Sequence, residues 1–145
     1  MIRNYLPDDR QELLQLFRLN TPEAFHPSEG EYFVKYLENE IEDYFVFEEK
    51  KMILGCGGIN YSEHNTGVIS WDMIHPAYHG QGIGRKLMEH RLTLLTMKKI
   101  YQVNVRTSQI AYKFYQKLGF ELQSVKKDGW APGFDIYQMQ LILQA

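Results

Sequence analysis

The stretch from residue 68 to residue 105 constrains the fold most, because it alternates between strand and helix around a glycine-rich turn. Apolar and β-branched residues predict a strand from Val68 to Ile74. Between Gly84 and about Met97 the apolar residues recur at helical spacing, and Ile100 to Val105 is again typical of a strand. Strand, helix and strand in this order predict a sheet with helices packed on it.

Two helices are predicted before this stretch. A strand from Ile2 to Tyr5 is followed by a helical pattern over residues 7–20. Ser28 stands three residues before Glu31, which is the spacing of a capping box, and predicts the start of a second helix that runs to about Ile41.

The remaining elements are mostly strands. Two β-rich runs, 44–47 and 52–61, flank a polar turn and predict a hairpin. A helix is predicted from Ser108 to Leu118, closed by Gly119. Further strands are predicted at 120–125 and 134–143. Antiparallel strands first and alternating strands and helices later predict an α/β (α+β) fold with a mixed sheet covered by helices.

Composition limits the partners that this chain can have. Its 145 residues amount to one ordinary domain, so we expect a single domain over residues 1–145. Sixteen basic against eighteen acidic residues give a net charge of -2, which provides no bulk positive field for nucleic acid or an anionic membrane. No apolar run approaches the ~20 residues that span a bilayer. We expect no nucleic acid, membrane or metal partner.

Cysteine usage and the N-terminus bear on the compartment. Cys56 is the one cysteine, so it cannot form an internal disulfide. It lies in the apolar run 53–58, where a buried structural thiol is expected rather than a nucleophile. The first residues lack the apolar stretch of a signal peptide. We expect a cytoplasmic protein.

The glycine-rich turn reads His79-Gly80-Gln81-Gly82-Ile83-Gly84 and joins a strand to a helix. Glycines at alternate positions let backbone N–H groups point inward, and a helix N-terminus adds partial positive charge, so the turn suits a phosphate. It lacks the third glycine spacing of a Rossmann turn, and Arg85-Lys86 stand where a Walker motif has Lys-Ser or Lys-Thr. The alternative is a tight turn whose glycines serve only backbone geometry.

Two sequence blocks together resemble the GNAT superfamily of N-acetyltransferases. The turn from His79 to Gly84 resembles the family's Arg/Gln-x-x-Gly-x-Gly/Ala signature. Residues 108–120, Ser-Gln-Ile-Ala-Tyr-Lys-Phe-Tyr-Gln-Lys-Leu-Gly-Phe, resemble its Asn-x-x-Ala-x-x-Phe-Tyr-x-Lys-x-Gly-Phe block. The resemblance implies a mixed, mostly antiparallel seven-stranded sheet with about four helices, splayed between its fourth and fifth strands, where acetyl-CoA enters.

The resemblance also implies which residues hold acetyl-CoA. Backbone N–H groups of the turn would cradle the pyrophosphate, and the splayed strand edge would bond the pantetheine arm. The residues expected to bind this co-substrate are Met73, Ile74, His79, Gly80, Gln81, Gly82, Ile83, Gly84, Arg85, Ser108, Ala111 and Tyr112. His79 and Ser108 depart from the family's Arg/Gln and Asn. A protonated His79 would make co-substrate affinity depend on pH. Ser108 is also a natural helix N-cap.

Tyr115 is the expected general acid. A phenol with a pKa near 10 stays protonated at neutral pH and can donate to a leaving thiolate. The spacing of Ser108, Tyr112 and Tyr115 would place them on one helical face toward the co-substrate. The alternative for Tyr115 is an aromatic core residue.

The general base that family members often use is missing, because Val68 stands where they have a glutamate. By strand alternation Asp72 shares a face with Val68 and Ser70, which makes it a candidate base, directly or through water. Other candidates are Glu63, His64 and His75. We therefore expect Tyr115 and Asp72 to be catalytic, in direct attack by an amine.

The acceptor is expected to be a small-molecule or peptide amine. In the family its pocket lies between the first two helices and the last hairpin, which here contribute aromatic residues (Phe25, His26, Tyr32, Phe33 and Tyr36 from one side, and Trp130 and Phe134 from the other). The alternative is that these aromatics close a small core. The competing function is a non-catalytic CoA-binding module, and we expect a monomer or a homodimer.

Overall fold

The computed structural model describes residues 1–144, which form seven strands and four α-helices. The elements are β1 (Ile2–Asn4), α1 (Arg10–Leu19), α2 (Gly30–Lys35), β2 (Asp43–Glu49), β3 (Met52–Ser62), β4 (Thr66–Ile74), α3 (Ile83–Met97), β5 (Gln102–Thr107), α4 (Tyr112–Lys117), β6 (Glu121–Ala131) and β7 (Phe134–Ile142). No helix among the described residues is both long enough and apolar enough to cross a bilayer.

All seven strands form one sheet in the order β1-β2-β3-β4-β5-β7-β6. Every neighbouring pair is antiparallel except β4 and β5, which are parallel because α3 connects them. The β4–β5 pairing ends at Ile69 and Val105. Residues 70–74 of β4 therefore separate from β5, which confirms the expected mixed sheet with a splay between its fourth and fifth strands.

Two apolar layers cover the sheet. On one face, α1 and α2 bury Leu13, Phe17 and Phe33 together with sheet residues such as Val46 and Met73. On the other face, α3 and α4 bury a second set that includes Met88, Leu95, Tyr115 and Phe120 against Ile59, Val103 and Met139. The first half of the chain thus covers one face, and the two later crossover helices cover the other.

A bulge in β4 changes which face its side chains reach. Cys56 pairs with Met73 and Gly58 pairs with Ser70, so Gly57 alone opposes Trp71 and Asp72. Trp71 has φ 49°, and its carbonyl accepts a 2.6 Å hydrogen bond from the Tyr44 hydroxyl. The extra residue breaks the period-2 alternation at the splayed end of the strand.

Asp72 consequently lies on the face opposite to Ser70, so the expectation that they share a face is wrong. Ser70 Oγ bonds Asn60 Oδ1, which also accepts from Tyr36 on the α2 side. Asp72 instead contacts Arg91 of α3 and Tyr115 of α4. Simple alternation failed because it assumes an unbroken ladder.

Several predicted boundaries differ in the structure. The capping box is formed by His26 and Glu29, not by Ser28 and Glu31: Glu29 Oε2 accepts from the His26 backbone N–H at 3.0 Å, and Pro27–Glu29 form a 3-10 turn before α2. Past Lys35 the second helix widens into a single π turn, residues 36–40. The last hairpin is longer than predicted, since β6 continues to Ala131.

The predicted helix from Ser108 is also shorter in the structure. Ser108 Oγ accepts from the Ile110 backbone N–H at 3.2 Å, which closes a turn over 108–111, and α4 begins only at Tyr112. Ser108 therefore does not lie on one helical face with Tyr112 and Tyr115.

Candidate functional site

The site is built around a buried chain of polar contacts at the splayed end of β4. Asp72 Oδ1 lies 2.5 Å from Arg91 Nη1, and Asp72 Oδ2 accepts a 2.7 Å hydrogen bond from the Tyr115 hydroxyl. The three side chains come from β4, α3 and α4. The structure thus brings together the two residues predicted to be catalytic and adds Arg91 to them.

Arg91 is held from several sides and is 1% exposed. Its Nη1 also donates to Gly58 O at 3.1 Å, and its Nε donates to Leu87 O within α3 at 3.2 Å. Burial lowers the pKa of Arg91, but the Asp72 carboxylate outweighs it and the pKa is raised. Arg91 is therefore a permanent cation inside the protein.

Tyr115 is 5% exposed and packs edge-to-face against Phe114 and Phe120. Burial, followed by the charge of Asp72 and the hydrogen bond to it, raises the pKa of Tyr115 well above 10. The phenol keeps its proton at neutral pH, and in this structure the proton points at Asp72. The alternative that Tyr115 is an aromatic core residue thus holds for its ring, which is buried, whereas its hydroxyl bonds Asp72.

The glycine-rich turn leads directly into α3. Gly80 has φ 80° and Gly82 has φ 82°, a left-handed conformation that side chains disfavour. A Cβ at either position would meet nothing within 4 Å, so both glycines face open space. Gly82 is the residue before α3, whose first N–H groups have no partner within the helix. The turn therefore leaves open space beside the N-terminus of α3, where the sequence predicts that an anion binds.

The other residues of the turn have distinct surroundings. Ile83 is buried against Phe45, Leu54 and Leu87 and anchors the start of α3. A Cβ at Gly84 would lie 3.0 Å from Phe114 Cζ, so this glycine permits close contact with α4. Gln81 and Arg85 are exposed. The Lys86 ammonium lies 5.8 Å from the Phe47 ring centroid, on the β2 side of α3.

The strand edge expected to meet pantetheine is partly engaged within the protein. Ile74 O lies 3.2 Å from His79 Nε2 and accepts from Asn20 Nδ2, also at 3.2 Å. The next N–H, of His75, donates toward β3 at Leu54 O. Met73 is buried in the α1–α2 layer. His79 therefore braces the end of β4, in addition to standing in the turn.

The residues at and before the start of α4 that are predicted to contact acetyl-CoA pack within the protein. Ala111 and Tyr112 pack against the α3–α4 layer, and the Tyr112 ring lies 4.8 Å from that of Tyr137 on β7. Ser108 is buried and caps its own turn.

The other candidate bases, Glu63, His64 and His75, do not contact Tyr115. Glu63 and His64 are exposed in the β3–β4 hairpin, at the opposite end of β4. His75 Nδ1 accepts from the Ala77 backbone N–H and caps a 3-10 turn. Asp72 is the one candidate base in contact with Tyr115.

Aromatic residues line the other face of the bulge. Phe25 and Phe33 pack on Trp71, with ring centroids 5.9 and 4.9 Å away. The His26 ring contacts Phe134 edge-to-face at 5.9 Å, which joins the α1–α2 segment to the β6–β7 turn. Tyr32 is exposed. The two sides expected to enclose an acceptor are therefore in contact.

Sequence reasoning missed Arg91 and Gly57. Arg91 falls midway between Leu87 and Leu95 on the buried stripe of α3, and a lone cation on an apolar stripe was the available signal. Gly57 faces Arg91, because a Cβ there would lie 2.7 Å from Nη1. The contact between Gly57 and Arg91 could not be predicted, because the sequence does not show how β3 pairs with the bulged strand β4.

The part of the chain that contains this site matches a known protein family. Residues 40–122, which include β4, the glycine turn and Tyr115, match the family model described as an acetyltransferase (GNAT) domain. The chain is 30% identical over 87 residues to the histone acetyltransferase TAP1 of Glycine max, covering 58% of this chain and 37% of that protein. The chain thus spans about a third of the length of the curated relatives it matches.

Solved structures share the whole fold at low identity. The ribosomal-protein-S18-alanine N-acetyltransferase of Escherichia coli superposes with a TM-score of 0.82 at 18% identity, over 100% of this chain and 95% of that one. An aminoglycoside 6'-N-acetyltransferase complexed with coenzyme A also gives a TM-score of 0.82, at 14% identity, over 100% and 98% of the two chains. At such identities the likeness shows the fold.

Proposed function

This chain belongs to the GNAT acetyltransferase family, and from that premise we propose that it transfers the acetyl group of acetyl-CoA to a primary amine. The observation that carries the proposal is the position of the Asp72–Tyr115 pair at the splayed end of β4, close to the glycine turn, whose Gly84 packs against Phe114 of α4. A site for an anionic carrier and a pair of proton-handling groups are thus adjacent.

The cradle fits acetyl-CoA by its backbone. Gly80 and Gly82 face open space that any Cβ would enter, and the first N–H groups of α3 supply donors for a pyrophosphate. Exposed Arg85 adds positive charge at the same helix end. In the family, acetyl-CoA supplies an activated acetyl group, and a relative with this fold was crystallised with coenzyme A. Met73, Ile74, Ser108, Ala111 and Tyr112 remain the proposed contacts for the rest of the molecule.

Asp72 and Tyr115 are the proposed proton-handling groups. Asp72 accepts a proton from the acceptor ammonium, directly or through water, so that a neutral amine can attack. Tyr115 protonates the leaving thiolate. The high pKa of Tyr115 ensures that the hydroxyl is protonated before reaction, at any pH near neutral.

The acceptor is proposed to be an amine on a small molecule or a peptide. The two solved relatives described above are named for an aminoglycoside and for a ribosomal-protein alanine, which both present primary amines. The aromatic residues around Trp71 give the proposed acceptor side an apolar wall. A cytoplasmic monomer or homodimer remains part of this proposal.

The second candidate is a non-catalytic CoA-binding module. Its support is that both carboxylate oxygens of Asp72 already have partners, Arg91 and Tyr115, and that Val68 stands where the family often has a glutamate. Such a module would keep the cradle and lack turnover.

Thermal unfolding with and without acetyl-CoA tests the binding half of the proposal. Ligand at about 100 times its Kd stabilises by about 2.7 kcal/mol and raises Tm by several degrees. Adenosine bisphosphate and NAD are the controls. Release of free CoA thiol with a panel of amines then separates the two candidates: a selective shift with turnover supports the transferase, a shift without turnover the module, and no shift in CoA-free protein removes both.

A further inference from the structure

We propose that Arg91 is a positioning residue that makes Asp72 and Tyr115 one proton relay. The Arg91 guanidinium fixes Asp72 so that this carboxylate returns a proton to Tyr115 as Tyr115 protonates the thiolate. The relay rests on the proposed acetyl transfer, whereas the placement of Tyr115 by Arg91 does not.

The first argument is how completely Arg91 is enclosed. Its guanidinium is bound by Asp72 Oδ1 and Gly58 O, and the backbone of Gly57 lies directly against it. A buried ion pair is costly to desolvate and often contributes less stability than apolar residues of the same volume. Stability alone gives little reason for an arginine here, since the rest of the α3 stripe is apolar.

The second argument concerns the charge that Tyr115 would leave behind. If Tyr115 gave its proton to a thiolate while Asp72 stayed ionised, two anions would face each other across a 2.7 Å contact. Like charges at that distance in a buried site strongly oppose each other. A proton must therefore reach Tyr115 as the first one leaves.

Asp72 is placed to supply that proton. In the relay, Asp72 first takes a proton from the nitrogen of the acceptor. Tyr115 then breaks its O–H bond and protonates the CoA sulfur, while the proton on Asp72 moves to the phenolic oxygen. Of the two protons that nitrogen loses, one ends on sulfur and the other enters solvent, and both side chains return to their starting states. Arg91 Nη1, 2.5 Å from Asp72 Oδ1, holds the carboxylate in place while its other oxygen faces the Tyr115 hydroxyl for the return.

Steady-state kinetics of Arg91→Met test the relay. We expect kcat to fall about 30-fold or more while KM for acetyl-CoA changes less than about twofold, since the glycine turn is not touched. Arg91→Lys keeps the charge but not the planar fork, and should recover part of kcat. The control is Arg3→Met, which removes an arginine of β1 that is paired with the carboxylates of Asp9 and Glu48, and which should leave kcat unchanged.

A double-mutant cycle distinguishes positioning from simple destabilisation. If Arg91 acts through Tyr115, Arg91→Met should lower kcat by less than about twofold in a Tyr115→Phe background. Losses that multiply in the double variant, or an unchanged kcat in folded Arg91→Met, would overturn the relay.

An NMR measurement tests the positioning role of Arg91 independently of activity. The Tyr115 hydroxyl proton, buried and bonded to Asp72, should give a slowly exchanging NMR signal that Tyr115→Phe removes. We expect Arg91→Met to abolish or shift this signal and Arg3→Met to leave it in place. If Arg91→Met does not fold, Arg91→Lys and the charge-neutral double variant Arg91→Met/Asp72→Asn take its place. An unaltered signal in folded Arg91→Met or Arg91→Lys overturns the positioning role, even if the wild-type protein shows no turnover and the proposed function fails.

Discussion

Gly57 of β3 and Arg91 of α3 fit against each other so closely that a Cβ at position 57 would lie 2.7 Å from Arg91 Nη1 and 2.9 Å from Cζ. The same Cβ would collide with Asp72 Oδ1. The absence of one side chain therefore makes room for an ion pair between the sheet and α3. Arg91 in turn holds the Asp72 carboxylate, which accepts a hydrogen bond from the Tyr115 hydroxyl.

Gly57→Ala is expected to displace the Arg91–Asp72 pair without changing any charge. Overpacking a filled site costs about 1–3 kcal/mol, so Tm should fall by several degrees. The matched control is Gly30→Ala, whose Cβ would lie 3.3 Å from the Phe17 ring and far from the pair. Thermal unfolding of both variants gives the comparison, and kcat should fall in Gly57→Ala alone. Equal kcat in the two variants would show that the pair tolerates displacement.

Tyr115→Phe is expected to lower kcat by about 10²–10⁴-fold with little change in the Kd of acetyl-CoA, because a general acid contributes to the chemical step. It should also cost about 1–2 kcal/mol of stability, since Asp72 loses a buried donor. Tyr61→Phe is the control, because Tyr61 also donates its hydroxyl to a carboxylate, that of Asp43, away from the splay. Wild-type turnover in Tyr115→Phe would contradict the acid role.

Gly82→Ala is expected to weaken acetyl-CoA binding more than it weakens the fold. Alanine at φ 82° is strained by about 1–2 kcal/mol, and its methyl group would enter the open space of the cradle. Gly133→Ala imposes the same strain at φ 84° in the β6–β7 turn, again with open space. Calorimetric titration should show a raised Kd for Gly82→Ala and a wild-type Kd for Gly133→Ala. Similar Kd values in both variants would place the carrier elsewhere.

The buried tyrosines should make the fold sensitive to alkali. The pKa values of Tyr115 and Tyr44 are raised by burial above 10, so these phenols stay protonated in the native state while the unfolded chain ionises. Their stabilisation is complete below about pH 10 and declines above it, by about 1.4 kcal/mol per pH unit for each group. Urea unfolding at about pH 8 and about pH 11 should show a smaller decline for Tyr115→Phe than for wild type. Parallel declines would indicate that Tyr115 ionises normally in the native state.

Cys56 should be unreactive in the native protein. Burial raises the pKa of its thiol to about 12, although the nearby Tyr44 hydroxyl opposes this shift. The thiolate is the reactive form, so a thiol reagent should label Cys56 only after unfolding in urea. Fast native labelling at neutral pH would contradict its structural role and make Cys56 a candidate nucleophile.

The sequence determined the parts of the molecule that depend on local patterns. Helical spacing after Gly84, the strand runs and the glycine turn follow from residue-by-residue preferences, and together they predicted the mixed sheet. The splay at β4 and β5 came from the resemblance carried by the 79–84 and 108–120 blocks. Boundaries were less accurate at helix starts: the capping box before α2 is formed by His26 and not by Ser28, and Ser108 begins a turn before α4 begins.

Only the tertiary structure decided the arrangement of the site. Alternation placed Asp72 with Ser70, and one extra residue at Trp71 reversed that assignment and turned the carboxylate toward Tyr115. Arg91 joined them because α3 packs its apolar stripe against β3 at a glycine. The physical reason is that a bulge and a close approach depend on the register between strands, which is set by long-range packing. A sequence pattern fixes which residues are near along one element, but not which elements meet.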